Sequence, residues 1–265
     1  MDRRMERPER VRAWRPAVPG VDEVLHAHFT HHAYPTHVHD DWTILLVDSG
    51  GVEYALDRGT HHAPPGSVTV LPPGVPHDGH AVAAGGFDKR VVYVDDRWLP
   101  PALIGAAASE PFLADRALAA EAGGLHRAFV MRDDLEAESR LAFVAERIGR
   151  HLDRRTPAPR ANRDRGLARY VRERLDDDDA VTLDALAREL GTHPTHLVRL
   201  FREEFGLPPH RFVTSRRVDR ARRLLLAGVP VAQAAVDAGF HDQSHLTRHF
   251  RRVLGVTPGE FRAVA

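Results

Sequence analysis

Two arginines, Arg199 and Arg248, occupy the fourth position of near-identical heptapeptides, HLVRLFR at 196–202 and HLTRHFR at 245–251. A guanidinium can donate two parallel hydrogen bonds to the O6 and N7 of guanine, and further arginines nearby can neutralise phosphates. Shifting the later segment back by 49 residues pairs Thr195 with Ser244, His196 with His245, Leu197 with Leu246 and Phe201 with Phe250. The same offset pairs Arg202 with Arg251, Gly206 with Gly255, Pro209 with Pro258 and Phe212 with Phe261. So many coincidences at one spacing mark a duplicated structural unit.

A helix must position each arginine. With successive side chains turned by about 100°, Leu197, Leu200, Phe201 and Phe205 share one face while Thr195, Arg199 and Arg202 lie opposite. In the second copy Leu246, Phe250, Val253 and Leu254 share a face, and Ser244, Arg248 and Arg251 point away. A shorter helix precedes each: TLDALAREL, with Thr182 as N-cap and Gly191 as stop, and VAQAAVDA before Gly239. Helix, glycine turn and basic second helix make a helix-turn-helix, whose second helix enters the major groove. The alternative is a bundle whose arginines are merely solvated, but bundle packing does not require the outward positions to repeat. Between the copies, PPHRFVTSRRVDRARRLLLAG at 208–228 has no internal breaker. A helix of about 18 residues spans roughly 27 Å, a strut able to set two reading helices about one duplex turn apart.

The 265 residues carry 37 Lys+Arg and 37 Asp+Glu. From Arg160 onward there are 19 arginines against 14 carboxylates, which leaves 18 basic and 23 acidic residues before it. Opposite signs in the two parts suit two domains with different partners, the basic one facing a polyanion. The lone lysine among many arginines, Lys89, fits a GC-rich coding genome and carries no functional weight at this level. No cysteine is present, so thiolate metal sites are excluded. The N-terminal stretch is charged and no apolar run is long enough to span a bilayer, so no membrane association and a cytoplasmic location are expected. The run DDDD at 176–179 cannot converge on one ion and reads as a solvated acidic turn.

Residues 42–94 read as short strands separated by Gly and Pro, the pattern of a sandwich or barrel. From about 110 the period becomes helical, and 153–166 is Pro- and Arg-rich without an apolar face. The expected fold is two domains: an all-β cupin-like barrel with flanking helices, then an all-α domain of two helix-turn-helix units joined by a long helix. The expected boundaries are 1–109 for the barrel with an N-terminal arm, 110–152 for a helical dimerisation or packing segment, 153–163 for a linker, and 164–265 for the helical domain.

Residues 164–265 resemble the DNA-binding domain of AraC-type (AraC/XylS family) bacterial transcription regulators. The resemblance rests on LARELGTHPTHLVRLFREEFGLPPHRFV, RRVDRARRLL and VAQAAVDAGFHDQSHLTRHFRRVLGVTPGEFR. It implies base contacts at Thr195, His196, Val198 and Arg199 in the first unit, and at Gln243, Ser244, His245 and Arg248 in the second. It implies phosphate contacts at Thr182, Arg202, Arg216, Thr247, Arg251 and Arg252; for Arg216 a plain surface arginine is an equal reading. Val198 departs from the usual polar residue and suits a thymine methyl. The partners implied are double-stranded promoter DNA, a small-molecule effector, RNA polymerase and a second copy of the chain.

The N-terminal half is similar to the cupin-type effector domain of the same family. Gly66, Pro72, Gly74 and His77 match one cupin motif, and the HVH at 37–39 matches the other. Metal-binding cupins add a glutamate about four residues past the second histidine, whereas positions 42–45 read Trp-Thr-Ile-Leu. The resemblance therefore implies a metal-free pocket for a small organic ligand, lined by His37, His39, Trp42, Tyr54 and His77, with no cofactor. Zinc on His37, His39 and His77 is the alternative. The family likeness also implies dimerisation at 110–152, through the stripe Leu135, Leu141, Val144 and Ile148; the alternative is that this stripe covers its own barrel. A ligand-responsive transcription regulator is the expected function. The competing classes are a cupin isomerase or dioxygenase and a helical adaptor.

Overall fold

In the computed structural model, residues 8–153, 163–177, 181, 183–192 and 194–263 are described. The first nine strands are β1 (Arg10–Trp14), β2 (Val21–Phe29), β3 (Tyr34–His37), β4 (Trp42–Ser49), β5 (Val52–Leu56), β6 (Gly59–Ala63), β7 (Val68–Leu71), β8 (His77–Ala81) and β9 (Phe87–Val94). β10 (Phe112–Leu113) follows a 3-10 turn at Pro101–Leu103 and a helix, α1 (Ile104–Ser109). One sheet runs β1-β2-β9-β4-β7-β10 and the other β3-β8-β5-β6, with every ladder antiparallel. Part of the segment read as an N-terminal arm is thus an edge strand, β1. Helix already begins before residue 110, and Phe112–Leu113 returns to the sheet beside Val68 and Thr69. The β4–β5 turn needs glycine: Gly50 has φ +71° and a Cβ there would lie 2.1 Å from the Gly86 carbonyl.

The larger sheet is apolar on both faces. Leu45 and Val47 of β4 join the barrel interior, while Trp42, Ile44 and Leu46 face the covering helices. Trp42, expected to line the pocket, therefore points to the opposite side, buried under α1–α3. Alternation along WTILLV could not show this, because neither side of the strand is polar.

α2 (Arg116–Met131) and α3 (Asp134–Asp153) form that cover. Asp115 caps α2, accepting from the Ala117 and Leu118 amides, and its carboxylate also takes Arg147 of α3. Leu141, Val144 and Ile148 are fully buried against their own barrel, so they are not free to meet a second copy; of the expected stripe only Leu135 is exposed. Met131, Leu135 and Phe143 are the large apolar side chains that this cover leaves in solvent, together with Val130.

The remaining helices are α4 (Arg163–Asp177), α5 (Leu183–Glu189), α6 (Pro194–Phe205), α7 (Pro209–Leu226), α8 (Val231–Asp237), α9 (Gln243–Leu254) and α10 (Pro258–Ala263). The linker expected at 153–163 lies largely outside the described residues. α4 runs on to Asp177, so the acidic run starts inside a helix. Asp176 there is 3.4 Å from Arg216, a cation that offsets carboxylates at the unfavourable end of the helix dipole. α7 is the unbroken strut that 208–228 predicts, with proline at its first position and no side-chain cap.

Two separate cores serve the two helical units. The first unit packs Leu186, Leu197, Phe201, Phe205 and Phe212 around α4, with Val38 from the barrel. The second unit, through Leu246, Phe250, Leu254 and Phe261, shares one continuous core with the barrel interior.

On β2 and α2, His26 Nε2 lies 3.2 Å from His126 Nδ1, edge to face, so one ring donates and the other accepts. Burial lowers the His26 pKa from 6.5 to about 4 and holds that of His126 well below its usual value. Below about pH 6.5 the unfolded chain takes up protons that this pair refuses. Stability should therefore fall as pH drops from 6.5 toward about 4. In urea titrations across that window, His26→Gln should lose less stability than the wild type; identical pH slopes would clear the pair of this role.

Candidate DNA-reading surface and ligand pocket

In the first unit, Gly191 ends α5 in the left-handed region at φ +61°, which frees the chain to turn into α6. Leu197, Leu200 and Phe201 anchor α6, leaving Arg199 and Arg202 exposed and His196 and Val198 half-buried. Arg199 Nη2 donates to His196 Nδ1 at 3.1 Å and its Nε stands 3.9 Å from Glu203, holding the guanidinium along the helix. Thr182 and the Thr195 side chain lie outside the described residues.

In the second unit, Asp242 caps α9 by accepting from the His245 amide at 2.7 Å. Gln243, Ser244, Arg248, Arg251 and Arg252 are exposed along a shallow groove that also includes Thr247. Thr247 Oγ1 donates back to the Gln243 carbonyl at 2.8 Å, which leaves its lone pairs outward. His245 is half-buried, its ring edge-on to Phe240 and His249. Neither arginine-bearing face is folded inward. Arg216 is different. It pairs with Asp40 of the barrel and Asp176 of α4, so its charge is engaged within the protein and it leaves the phosphate-facing set.

Between the two sheets, His37, His39, Tyr54 and His77 surround an enclosed cavity of about 50 Å³. Its wall also carries Thr43, Lys89 and Tyr93, and Leu254 from the end of α9 closes one side. Just beyond, His32 Nε2 donates to the Val253 carbonyl at 3.2 Å, and a Cβ on Gly255 would come within 3.0 Å of His32 and 3.1 Å of Phe29. The reading helix of the second unit is thus fitted onto the barrel mouth. Burial lowers the pKa of His77 to about 3 and those of His37 and His39 below 6.5, so all three rings are neutral at pH 7. Burial also pulls Lys89 down to about 7; its ammonium sits 4.1 Å from the Tyr34 ring centroid and pairs with no carboxylate among the described residues.

Sequence reasoning missed the joint between barrel and strut. Arg222 of α7 is buried, with Nε 2.7 Å from Glu23 of β2, Nη2 3.1 Å from Asp219 and its guanidinium 4.0 Å from the Tyr93 ring. Burial pushes Glu23 up to about 7 even beside this cation. Arg223 binds Asp40 at 2.8 Å and Asp219 at 2.8 Å. In RRVDRARR the i,i+3 and i,i+4 spacing of Asp219 to Arg222 and Arg223 was the available signal, but it suits a solvated helix equally well. Lys89 was missed for the same reason: its type was visible and its burial was not.

The profile of the AraC-like ligand binding domain matches residues 20–144, and that of a helix-turn-helix domain matches residues 186–263. The chain belongs to the AraC family of transcription regulators. YbfI of Bacillus subtilis, an uncharacterized HTH-type transcriptional regulator, is 25% identical over 80% of this chain and 81% of its own. The arabinose operon regulatory protein of Escherichia coli is 30% identical over 40% of this chain and 36% of its own. Regulatory protein Ada of Salmonella typhimurium is 38% identical over 33% of this chain, which spans a quarter of Ada's length. Among solved structures, an apo form of ToxT from Vibrio cholerae, carrying a single substitution, superposes with a TM-score of 0.60 at 13% identity, covering 97% of this chain and 96% of that one. That likeness shows the fold, a β domain before a helical one, and the two profiles supply the AraC-like character of each part. The regulators matched here stand against the isomerase or dioxygenase alternative. Among the described residues no helix is long and apolar enough to cross a membrane.

Proposed function

We propose that this AraC-family chain reads promoter DNA through two successive major grooves and that an anionic small molecule bound in the barrel sets the placement of the second unit. The observation that carries this reading is the shared core: the pocket wall and the reading helix α9 meet at Leu254. Arg199 and Arg248 serve as base-reading arginines, with Val198, Gln243, Ser244 and His245 beside them; Thr195 and His196 belong to the same set by position. Arg202, Thr247, Arg251 and Arg252 serve as phosphate contacts, as does Thr182 by position. RNA polymerase is the partner that the activator form of this reading adds. Arg248→Ala should weaken specific duplex binding by about 1–3 kcal/mol and relax preference at one base pair, whereas Arg251→Ala should weaken all sequences alike and reduce the salt slope by about one. Equal losses on operator and random DNA for Arg248→Ala would remove Arg248 from the base-reading set.

Lys89 supports the anionic ligand, because a cavity cation without a counter-charge favours a carboxylate. A structure of ToxT holds an unsaturated fatty acid, and a carboxylate headgroup is the chemistry that suits Lys89 here. A 50 Å³ space admits only a few heavy atoms, so a longer ligand must part α9 from the barrel. Octanoate and oleate, titrated against the full chain by calorimetry, should bind at least about tenfold more weakly to Lys89→Met. Equal binding of octanol would refute the charge argument.

The expected second copy fits the exposed side of α3 rather than the buried stripe. Leu135 and Phe143 stand on that side beside Arg140 and Arg147, with Met131 nearby at the end of α2. Phe143→Glu should convert a dimer to a monomer in sedimentation equilibrium; an unchanged mass would remove this face from the interface.

A further inference from the structure

We infer that Lys89 is a covalent capture site for small aldehydes, its side-chain amine forming an imine inside the barrel. Of the 37 Lys+Arg residues in the chain, Lys89 is the single lysine. A guanidinium keeps its proton and forms no simple imine, so the arginines do not compete for such a reagent. The one side chain able to form it lines the enclosed cavity between the two sheets. Capture needs the free amine and the proposed carboxylate binding needs the ammonium, so either can fail without the other.

The surroundings of the amine make it reactive. Nζ stands 4.1 Å from the Tyr34 ring centroid and 5.8 Å from that of Phe29. Leu25, Leu45, Leu71 and Val91 keep the cavity wall apolar, which disfavours an ammonium and a hydrated aldehyde alike. Burial, and after it the charge of Arg222, lowers the Lys89 pKa to about 7, with Glu23 opposing. About half of the amine is then unprotonated at pH 7, against roughly one part in a few thousand for an ordinary lysine. His37, His39 and His77 nearby are neutral at that pH, and burial holds the Tyr34 hydroxyl protonated. Lys89 is half-buried and also borders the open groove that runs from β1 to Val256, which gives a reagent its way in.

The chemistry balances without a further reagent. Nζ adds to the carbonyl carbon while the oxygen gains charge. Thr43 Oγ1, buried on the cavity wall without a hydrogen-bond partner among the described residues, is the donor for that oxygen. Both amine protons then leave with the oxygen as water, and a C=N bond replaces the C=O bond. A space of about 50 Å³ limits the aldehyde to a few heavy atoms. Carbon dioxide fits by size, but its carbamate would place an anion against imidazole lone pairs. His37 Nδ1 and His77 Nδ1 are held by the Pro35 and Val75 carbonyls, at 2.7 and 3.1 Å, so each Nε2 is an acceptor. The neutral imine meets no such conflict, and forming it removes the repulsion between the Lys89 ammonium and Arg222 of the α7 joint.

Acetaldehyde and cyanoborohydride, added to the full-length chain with Nα-acetyl-lysine as internal reference, test this by peptide mass spectrometry of N-ethylated Lys89. At pH 7 Lys89 should be labelled at least about tenfold faster than the reference. That ratio should fall above pH 7, where Lys89 is already deprotonated and free lysine is not. Unfolding in urea exposes the amine and should slow its labelling at pH 7, whereas a merely shielded lysine would speed up. Thr43→Val should slow labelling about tenfold without moving the pH dependence, and Thr43→Ser should restore it; an unchanged rate for Thr43→Val would strip Thr43 of its part. Benzaldehyde, too large for the cavity, should label Lys89 far more slowly than acetaldehyde when each is scaled to the reference. Equal scaled rates for the two aldehydes, faster labelling in urea, or a ratio that stays flat to pH 10 overturns capture within the barrel.

Discussion

A guanidinium taken out of water where the barrel meets α7 is the constraint on which the relation between the two halves depends. Arg222 is 1% exposed, and it tolerates that burial only because Glu23, Asp219 and the Tyr93 ring surround it. Glu23 and Tyr93 come from the barrel, so α7 cannot leave without separating the charge from half of its partners. Breaking such a buried cluster while it stays dry costs on the order of 3–5 kcal/mol. Once the domains part, however, water solvates every member and recovers much of that cost. The physics of such a joint favours two states, the closed and dry one seen here and an open, wet one, with little stability between them. A small additional term on either side can decide which is populated.

That joint does not treat the two helix-turn-helix units alike. Leu246, Phe250 and Leu254 of the second unit belong to the same apolar cluster as the barrel strands. The first unit keeps its own cluster, which takes Val38 from the barrel and gains a hydrogen bond from Arg58 to the Glu203 carbonyl. The outward arginines of α6 and α9 remain in solvent while the joint is closed, so closure does not cover the reading residues. What closure controls is the placement of the second unit, and through α7 of the helical pair, against the barrel. An unbroken α7 transmits that placement, since a continuous helix of 18 residues has no internal breaker at which the two units could swing independently.

The helical half was legible in the sequence because its signals are local. A 49-residue repeat, glycine stops at Gly191 and Gly239, and an uninterrupted 208–228 fixed α5 to α9 within a residue or two, from period and turn chemistry alone. The barrel was legible as strands but not as faces. Trp42 is expected in the pocket but faces the covering helices, a choice that alternation cannot make because neither side of β4 reads as polar. The stripe on α3 failed similarly: Leu141, Val144 and Ile148 announce an apolar face without saying which surface it meets. Charge was the least legible. Arg216, Arg222 and Arg223 have the same residue type as Arg248, and only the carboxylates arriving from β2, the β3–β4 segment and α4 separate an internal cation from one left in solvent. His37, His39 and His77 are identifiable by motif, whereas the Pro35 and Val75 carbonyls that hold the His37 and His77 rings are revealed by no spacing.

The dimensions of the pocket then decide the sign of any coupling. A ligand acts only through its difference in affinity for the closed and open joint, and reversing a hundredfold preference takes roughly 5.5 kcal/mol of that difference. A few-atom anion fits the closed cavity of about 50 Å³ beside Thr43 and Lys89 and adds contacts that exist only while Leu254 roofs it. A longer amphiphile meets the same Lys89 but must displace Leu254, exchanging the α9 contact for its own chain. Both ligands would use one cation and one wall, yet the first reinforces the docked second unit and the second releases it. On the proposed reading, ligand length, more than headgroup chemistry, would decide the direction of the response.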